Sequence, residues 1–145
     1  MALIALGVSG GISAYKAVDV VRLLQQQGHE VVAVMTANAQ KFIGPLTFEA
    51  ITRRRVLVDQ YEPGVNTDID HIALASSIDV LLVVPATANV IGKFAHGIAD
   101  DFLSSLFLAT KAPILVAPAM NTNMYENIAV QSNCSVLAER GVSFI

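Results

Sequence analysis

Residues 2–13 read ALIALGVSGGIS, an uninterrupted apolar run from Ala2 to Val8 broken by Ser9-Gly10-Gly11. An apolar run without polar alternation suits a strand covered on both faces, as in a parallel sheet flanked by helices. Working outward, residues 12–27 place Ile12, Tyr15, Val18, Val21 and Leu24 at helical spacing, and Gly28 stops that pattern. Glu30–Met35 reads as a second strand. Residues 38–52 read as one or two short helices broken at Gly44-Pro45, because proline does not continue a helix begun before it. Val56–Val58 suggests a short strand, residues 60–68 a loop, and Asp70–Ser77 a helix with Asp68 or Asp70 near its start. Asp79–Val84 is a strand, 87–96 and 102–110 are helices, Ile114–Ala117 is a strand, Asn127–Arg140 a helix closed by Gly141, and Val142–Ile145 a last strand. Strand and helix alternating throughout predict an α/β fold, a three-layer sandwich around a parallel sheet.

Composition narrows what such a domain does. The chain has 145 residues, 54% of them hydrophobic and 14% charged, which excludes intrinsic disorder. Net charge is −3 and the only basic run is Arg53-Arg54-Arg55, so no nucleic-acid partner is expected. Apolar stretches such as Ala2–Val8 and Val80–Ala86 are about seven residues, against the roughly 20 that a spanning helix needs, and no signal-like segment opens the chain. A cytoplasmic protein with no membrane partner is the expectation. The surplus apolar surface must then cover both faces of the sheet or meet another subunit. Cys134 has no CxxC partner, and His29, His71 and His96 lack metal-ligand spacing, so no metal site is expected.

Parallel sheets bind ligands beyond the carboxyl ends of their strands. Four segments fall there. Ser9-Gly10-Gly11-Ile12-Ser13 joins a strand to a helix, where backbone N–H groups close around an anion, but it is neither GxGxxG nor a P-loop. The second strand ends in Thr36-Ala37-Asn38 and lacks the acid that a nicotinamide dinucleotide's ribose calls for; a hydroxyl and an amide suit a phosphate or phosphoribityl group better. Gly7-Val8-Ser9-Gly10-Gly11 also matches the GxSxG nucleophile elbow, but Asp68 and His71 lie too close in sequence to complete a triad. Pro85-Ala86-Thr87-Ala88-Asn89 lets a flat ring approach small residues beside a hydroxyl and a carboxamide; Thr87 is also an ordinary N-cap, which leaves Asn89 unexplained. Pro118–Tyr125 (PAMNTNMY) sets Asn121 to hold a carboxylate or amide, with Met120 and Met124 as packing partners for a ring or as plain core. His71, in the first turn of its helix, is a candidate base or a simple capping residue. Asp100-Asp101 could cap the helix from Phe102.

Taken together, VSGGISAYK at the start, Asp70-His71-Ile72, PATAN at 85–89 followed by GIADD at 97–101, and PAMNTNMY at 118–125 resemble the homo-oligomeric flavin-containing cysteine decarboxylases, in particular the phosphopantothenoylcysteine decarboxylase branch. The family forms are close to PASANT and PxMNxxMW, from which this chain departs by Thr87, Val90 and Tyr125. The resemblance implies a Rossmann-like or flavodoxin-like sandwich that binds FMN. Ser9, Gly10, Gly11 and Thr36 would hold the phosphate and ribityl chain, and Ala86, Thr87, Ala88 and Asn89 would line the flavin. His71 and Asn121 would be catalytic, with Asn121 and Met120 binding substrate. It implies a homotrimer or a dodecamer built from trimers, and a phosphopantothenate-cysteine ligase, fused or separate, as a partner.

The implied reaction is a carboxy-lyase step of coenzyme A biosynthesis, turning 4′-phosphopantothenoylcysteine into 4′-phosphopantetheine. An unactivated carboxylate has no electron sink; oxidation of the cysteinyl CH₂–SH to a thioaldehyde creates one, carbon dioxide leaves, and the enethiolate is reduced and protonated. In the pantothenate branch a flap cysteine supplies that proton. No such segment precedes Ile145, and Cys134 reads as helical core, so residues 1–145 are expected to be a single flavoprotein domain truncated before the flap. Without the flap, a peptidyl-cysteine oxidative decarboxylase or a non-catalytic FMN-binding regulatory subunit is the alternative. A flavin prenyltransferase shares the opening loop but not PAMN. Replacing His71 with Asn should leave FMN bound and abolish carbon dioxide release; normal turnover in H71N would remove His71 from the mechanism.

Overall fold

The computed structural model describes residues 1–58 and 72–145 in full, and residues 67–71 as helix backbone only. Five strands, β1 (Leu3–Val8), β2 (Glu30–Met35), β3 (Val80–Ala86), β4 (Ile114–Pro118) and β5 (Ser143–Phe144), form one sheet in the order β2-β1-β3-β4-β5. Every pairing is parallel. This is the flavodoxin-like order, in which the chain steps outward from β1 to one side and then, from β3 on, to the other. Among the described residues the helices are α1 (Lys16–Gln26), α2 (Pro45–Thr52), α3 (Thr67–Ser77), α4 (Ala88–His96), α5 (Phe102–Ala109), α6 (Thr122–Glu126) and α7 (Ile128–Glu139).

Strand alternation divides the core between the two faces. Leu6 and Val8 of β1 and Val31, Ala33 and Met35 of β2 pack with Ala17 and Val21 of α1 and Phe48 of α2. Ala5, Val32, Val34, Leu81 and Val83 point the other way, into a cluster with Phe94, Leu106 and Leu137 of α4, α5 and α7. Phe94 and Phe107 stack across that second layer with ring centroids 4.0 Å apart. Covering both faces absorbs most of the apolar content, as the reading of Ala2–Val8 anticipates. Ile12, Leu46 and Ile128 remain at least 75% exposed. None of the described helices is long and apolar enough to cross a membrane.

Local signals set most boundaries. Thr87 caps α4 by accepting the Val90 N–H. Gly97, at φ 67°, closes the same helix in the left-handed conformation that only glycine adopts freely. Asp101 and Ser104 cap α5 reciprocally.

Four elements differ from the sequence reading. Residues 12–15 form a 3-10 turn before α1 begins at Lys16, because the tight glycine turn leaves no room for a full α-helical first turn. Val56–Val58 yields only a single parallel bridge, Val34 to Leu57, not a strand. Helix α3 starts at Thr67, while the loop expected at 60–68 falls mostly outside the described residues. Helix α6 went unread because its five residues are too few for a helical period to show.

Leu81 is fully buried in the larger core cluster. Replacing it with Ala should lower stability by about 2–5 kcal/mol in urea unfolding. A loss below about 1 kcal/mol would contradict the packing described.

Candidate functional site

A cavity of about 550 Å³ opens beyond the carboxyl ends of β1 and β3, where the strand order reverses. That volume is typical of small-molecule sites. Its floor is Gly10, Gly11, Ile12 and Ser13 from the β1 end and Thr36, Ala37 and Asn38 from the β2 end. Thr87, Ala88 and Asn89 form one wall, and Ala119, Met120 and Asn121 another.

The floor begins with Ser9, which is fully buried. Its hydroxyl donates to the Pro85 carbonyl at 2.5 Å and accepts the Thr87 N–H at 3.0 Å, tying the end of β1 to the end of β3. Past it the backbone turns sharply. The Gly11 N–H returns to the Ser9 carbonyl at 3.1 Å, and the Ala14 N–H to Gly11 at 3.0 Å. The N–H groups of Gly10, Ile12 and Ser13 find no acceptor among the described residues. Three open donors on one turn, at the start of a helical segment, make an anion-binding concavity.

Gly10 is required by crowding. A Cβ there would sit 2.6 Å from the Asn38 Cβ and 2.9 Å from its carbonyl carbon. A Cβ on Gly11 would come no nearer than 3.8 Å to any atom outside its own neighbours, so this residue opens toward the cavity instead. On the β2 side, Thr36 is 8% exposed and its Oγ1 accepts the Ala39 N–H at 3.1 Å, which fixes the hydroxyl at the cavity edge.

Asn121 caps α6, its Oδ1 accepting the Asn123 N–H at 2.8 Å. Its carboxamide NH₂ donates to no described residue, which leaves it for a ligand. Asn89 is exposed on the facing wall. The charged groups at the rim are Lys93 and Asp101. Lys93 Nζ binds both carboxylate oxygens of Asp100 at 2.9 Å. That hydrogen bond holds the Asp100 carboxyl below its ordinary range. Asp101 accepts the Ser104 N–H at 2.8 Å and the Ser104 hydroxyl at 2.6 Å. Cys134, on α7, lies away from the cavity, and burial pushes its thiol up, so it stays protonated.

Residues 2–145 match the family described as Flavoprotein. The chain belongs to that family. Among relatives, it is 46% identical over 139 residues to the coenzyme A biosynthesis bifunctional protein CoaBC of Vibrio vulnificus, covering 96% of this chain and 35% of that protein. It is 48% identical over 138 residues to the protein of the same name from Bacillus subtilis, covering 95% and 34%. The flavoprotein thus spans about a third of the length of these curated relatives. Among solved structures, the FMN-dependent cysteine decarboxylase SpaF superposes with a TM-score of 0.92 at 37% identity, covering all of this chain and 83% of the other. A PPC decarboxylase variant complexed with pantothenoylaminoethenethiol superposes at 0.84 with 29% identity, covering 99% and 81%.

Of the residues singled out from sequence, Gly10, Gly11, Thr36, Thr87, Ala88, Asn89, Met120 and Asn121 all line this same cavity. Ser9 and Ala86 do not: both are fully buried beneath it. Ser9 was expected to face a phosphate, but its hydroxyl is spent on Pro85 and Thr87, which makes it a brace for the floor. Ala86 closes the strand, pairing with Pro118. The His71 side chain lies outside the described residues, on a helix whose backbone is placed. Lys93 and Asp101 were missed as lining residues. The signal was available for Lys93, which follows Asn89 by four positions on one helix and so shares its face.

Replacing Ser9 with Ala leaves the Thr87 N–H without its acceptor under the cavity floor. The expected cost is about 1–3 kcal/mol in urea unfolding. An unchanged midpoint would show that the brace contributes nothing.

Proposed function

We propose that this chain is an FMN-dependent cysteine decarboxylase domain acting on 4′-phosphopantothenoylcysteine in coenzyme A biosynthesis. The observation that carries the reading is the turn at Gly10–Ser13, whose open N–H groups face a cavity walled by hydroxyls, amides and small residues. Those donors fit a phosphate. The absence of a side chain at Gly10 lets the turn pack directly on Asn38, and Gly11 leaves the backbone uncovered on the cavity side. No acid occupies the cavity edge after β2, where Thr36, Ala37 and Asn38 stand, which disfavours a dinucleotide's ribose and suits a ribityl phosphate.

Gly10, Gly11, Ser13 and Thr36 would hold the phosphate and ribityl chain, and Thr87, Ala88 and Asn89 would bound the ring. When bound, FMN supplies the reversible two-electron redox centre that turns a cysteinyl carbon into an electron sink for decarboxylation. The chain's own residues position the substrate. Asn121, its Oδ1 fixed by the Asn123 N–H, presents its NH₂ to the substrate carboxylate. Met120 packs beside it on the same wall. His71, the fifth residue of α3, would accept the thiol proton or orient the carboxylate.

Residues 1–145 act as one flavin-binding domain. Ile12 and Tyr15, exposed beside the floor, and Ile128 on α7 are the apolar surface that a homotrimer, alone or within a dodecamer, would cover. A phosphopantothenate-cysteine ligase is the proposed partner, in keeping with relatives named bifunctional, and the proposed location is the cytoplasm. A peptidyl-cysteine decarboxylase is the second reading, in keeping with the superposition, at a TM-score of 0.86 and 25% identity, on a solved structure named peptidyl-cysteine decarboxylase EpiD.

Reconstitution of the purified chain with FMN, followed by phosphopantothenoylcysteine or a peptide ending in cysteine, separates these readings. Carbon dioxide release from phosphopantothenoylcysteine alone supports the first, release from the peptide alone the second. A protein that takes up no FMN overturns both.

A further inference from the structure

Lys93 is the cationic residue among those lining the cavity, and nothing in the reading above gives it a task. It stands on α4 one turn past Asn89, so its stem follows the wall proposed to bound the flavin ring. Its ammonium is fixed: both Asp100 oxygens bind it at 2.9 Å, and the Lys93 side chain is only 23% exposed against 54% for Asp100. The pair is therefore oriented. Lys93 lines this cavity, whereas Asp100 lines the neighbouring one together with Gln40 and Asp101, so the cation is the member of the pair on the side of the proposed flavin site. Asp101 is the opposing charge at the rim. Its carboxylate is bound by the Ser104 N–H and hydroxyl and sits at the N-terminus of α5, which offsets part of its negative field.

A flavin ring gains negative charge when it takes up two electrons and one proton, and a fixed cation beside it stabilises that charged form over the neutral oxidised one. We propose that Lys93 is a tuning cation that biases the bound flavin toward its reduced state, with Asp100 as the counter-charge that both anchors and attenuates it. This rests on the flavin reading above. It assigns the GIADD segment a function besides capping α5: Asp100 holds the cation, and Asp101 starts the helix. In a decarboxylase that must first oxidise its substrate, a flavin readier to accept electrons makes that step more favourable.

The test is the two-electron midpoint potential of the FMN-loaded protein, read by dye-equilibrated reductive titration, together with the FMN dissociation constant. Lys93→Met should weaken the preference for reduced over oxidised flavin about tenfold, a fall of about 30 mV for a two-electron couple. Lys93→Arg, which keeps the charge, should return the potential to the wild-type value. Asp100→Asn, which removes the counter-charge, should move it the opposite way, upward. Opposite signs for Lys93→Met and Asp100→Asn are not expected of a merely structural ion pair, whose loss would have the same effect from either side. If wild-type protein binds no FMN, the flavin reading fails. If FMN binds and Lys93→Met leaves the potential unchanged, or both variants shift it the same way, the tuning role is overturned. If Lys93→Met does not fold, an unshifted potential in Asp100→Asn overturns it as well.

Discussion

One buried hydroxyl holds the site together. Ser9 sits at the end of β1, where the strand order reverses, and bonds both the Pro85 carbonyl and the Thr87 N–H across to β3. At such a reversal the chain leaves adjacent strands toward opposite faces of the sheet, and a crevice opens between the departing segments. The Ser9 bridge keeps that crevice from spreading. It fixes the glycine turn on one side relative to the cap of α4 on the other, so that the open N–H donors of the turn and the Thr87–Asn89 wall are tied together.

The remaining features follow from that tie. Thr87 is held by its backbone to Ser9, while its own hydroxyl caps α4. Helix α4 then delivers Asn89 and Lys93 to the same face, and the pairing of Ala86 with Pro118 brings the PAMN loop to the opposite wall. Core packing supports this from below. Val8 and Met35 on one face, with Val83 on the other, are buried within a few residues of the carboxyl ends of their strands. A site placed on strand ends whose bodies are this well packed has little freedom to distort when a ligand enters.

Much of this was legible in the sequence. The unbroken apolar run at Ala2–Val8 implied a doubly covered strand, and the four strand-end motifs converge on a single cavity. What the sequence could not reveal was direction. Ser9 and Ser13 look equivalent around the two glycines, yet one hydroxyl is turned inward to the strands and the other stands at the cavity. Strand pairing decides which, and pairing is not local information. Lys93 was overlooked for a related reason: on a helix a lysine reads as solvated surface until the partner that holds it, here Asp100 across the Gly97 turn, is known. Helix α6 was missed because five residues carry too little periodicity.

The central claim is that the Gly10–Ser13 turn binds the phosphate of FMN. Equilibrium titration of the purified protein with FMN and with riboflavin, followed by quenching of flavin fluorescence, tests it directly, because the two ligands share a ring and differ in the phosphate. Two hydrogen bonds to a charged group, at about 1.5 kcal/mol or more each, amount to a preference for FMN of at least about 100-fold. Equal affinity for the two flavins, or binding of neither, would contradict the account.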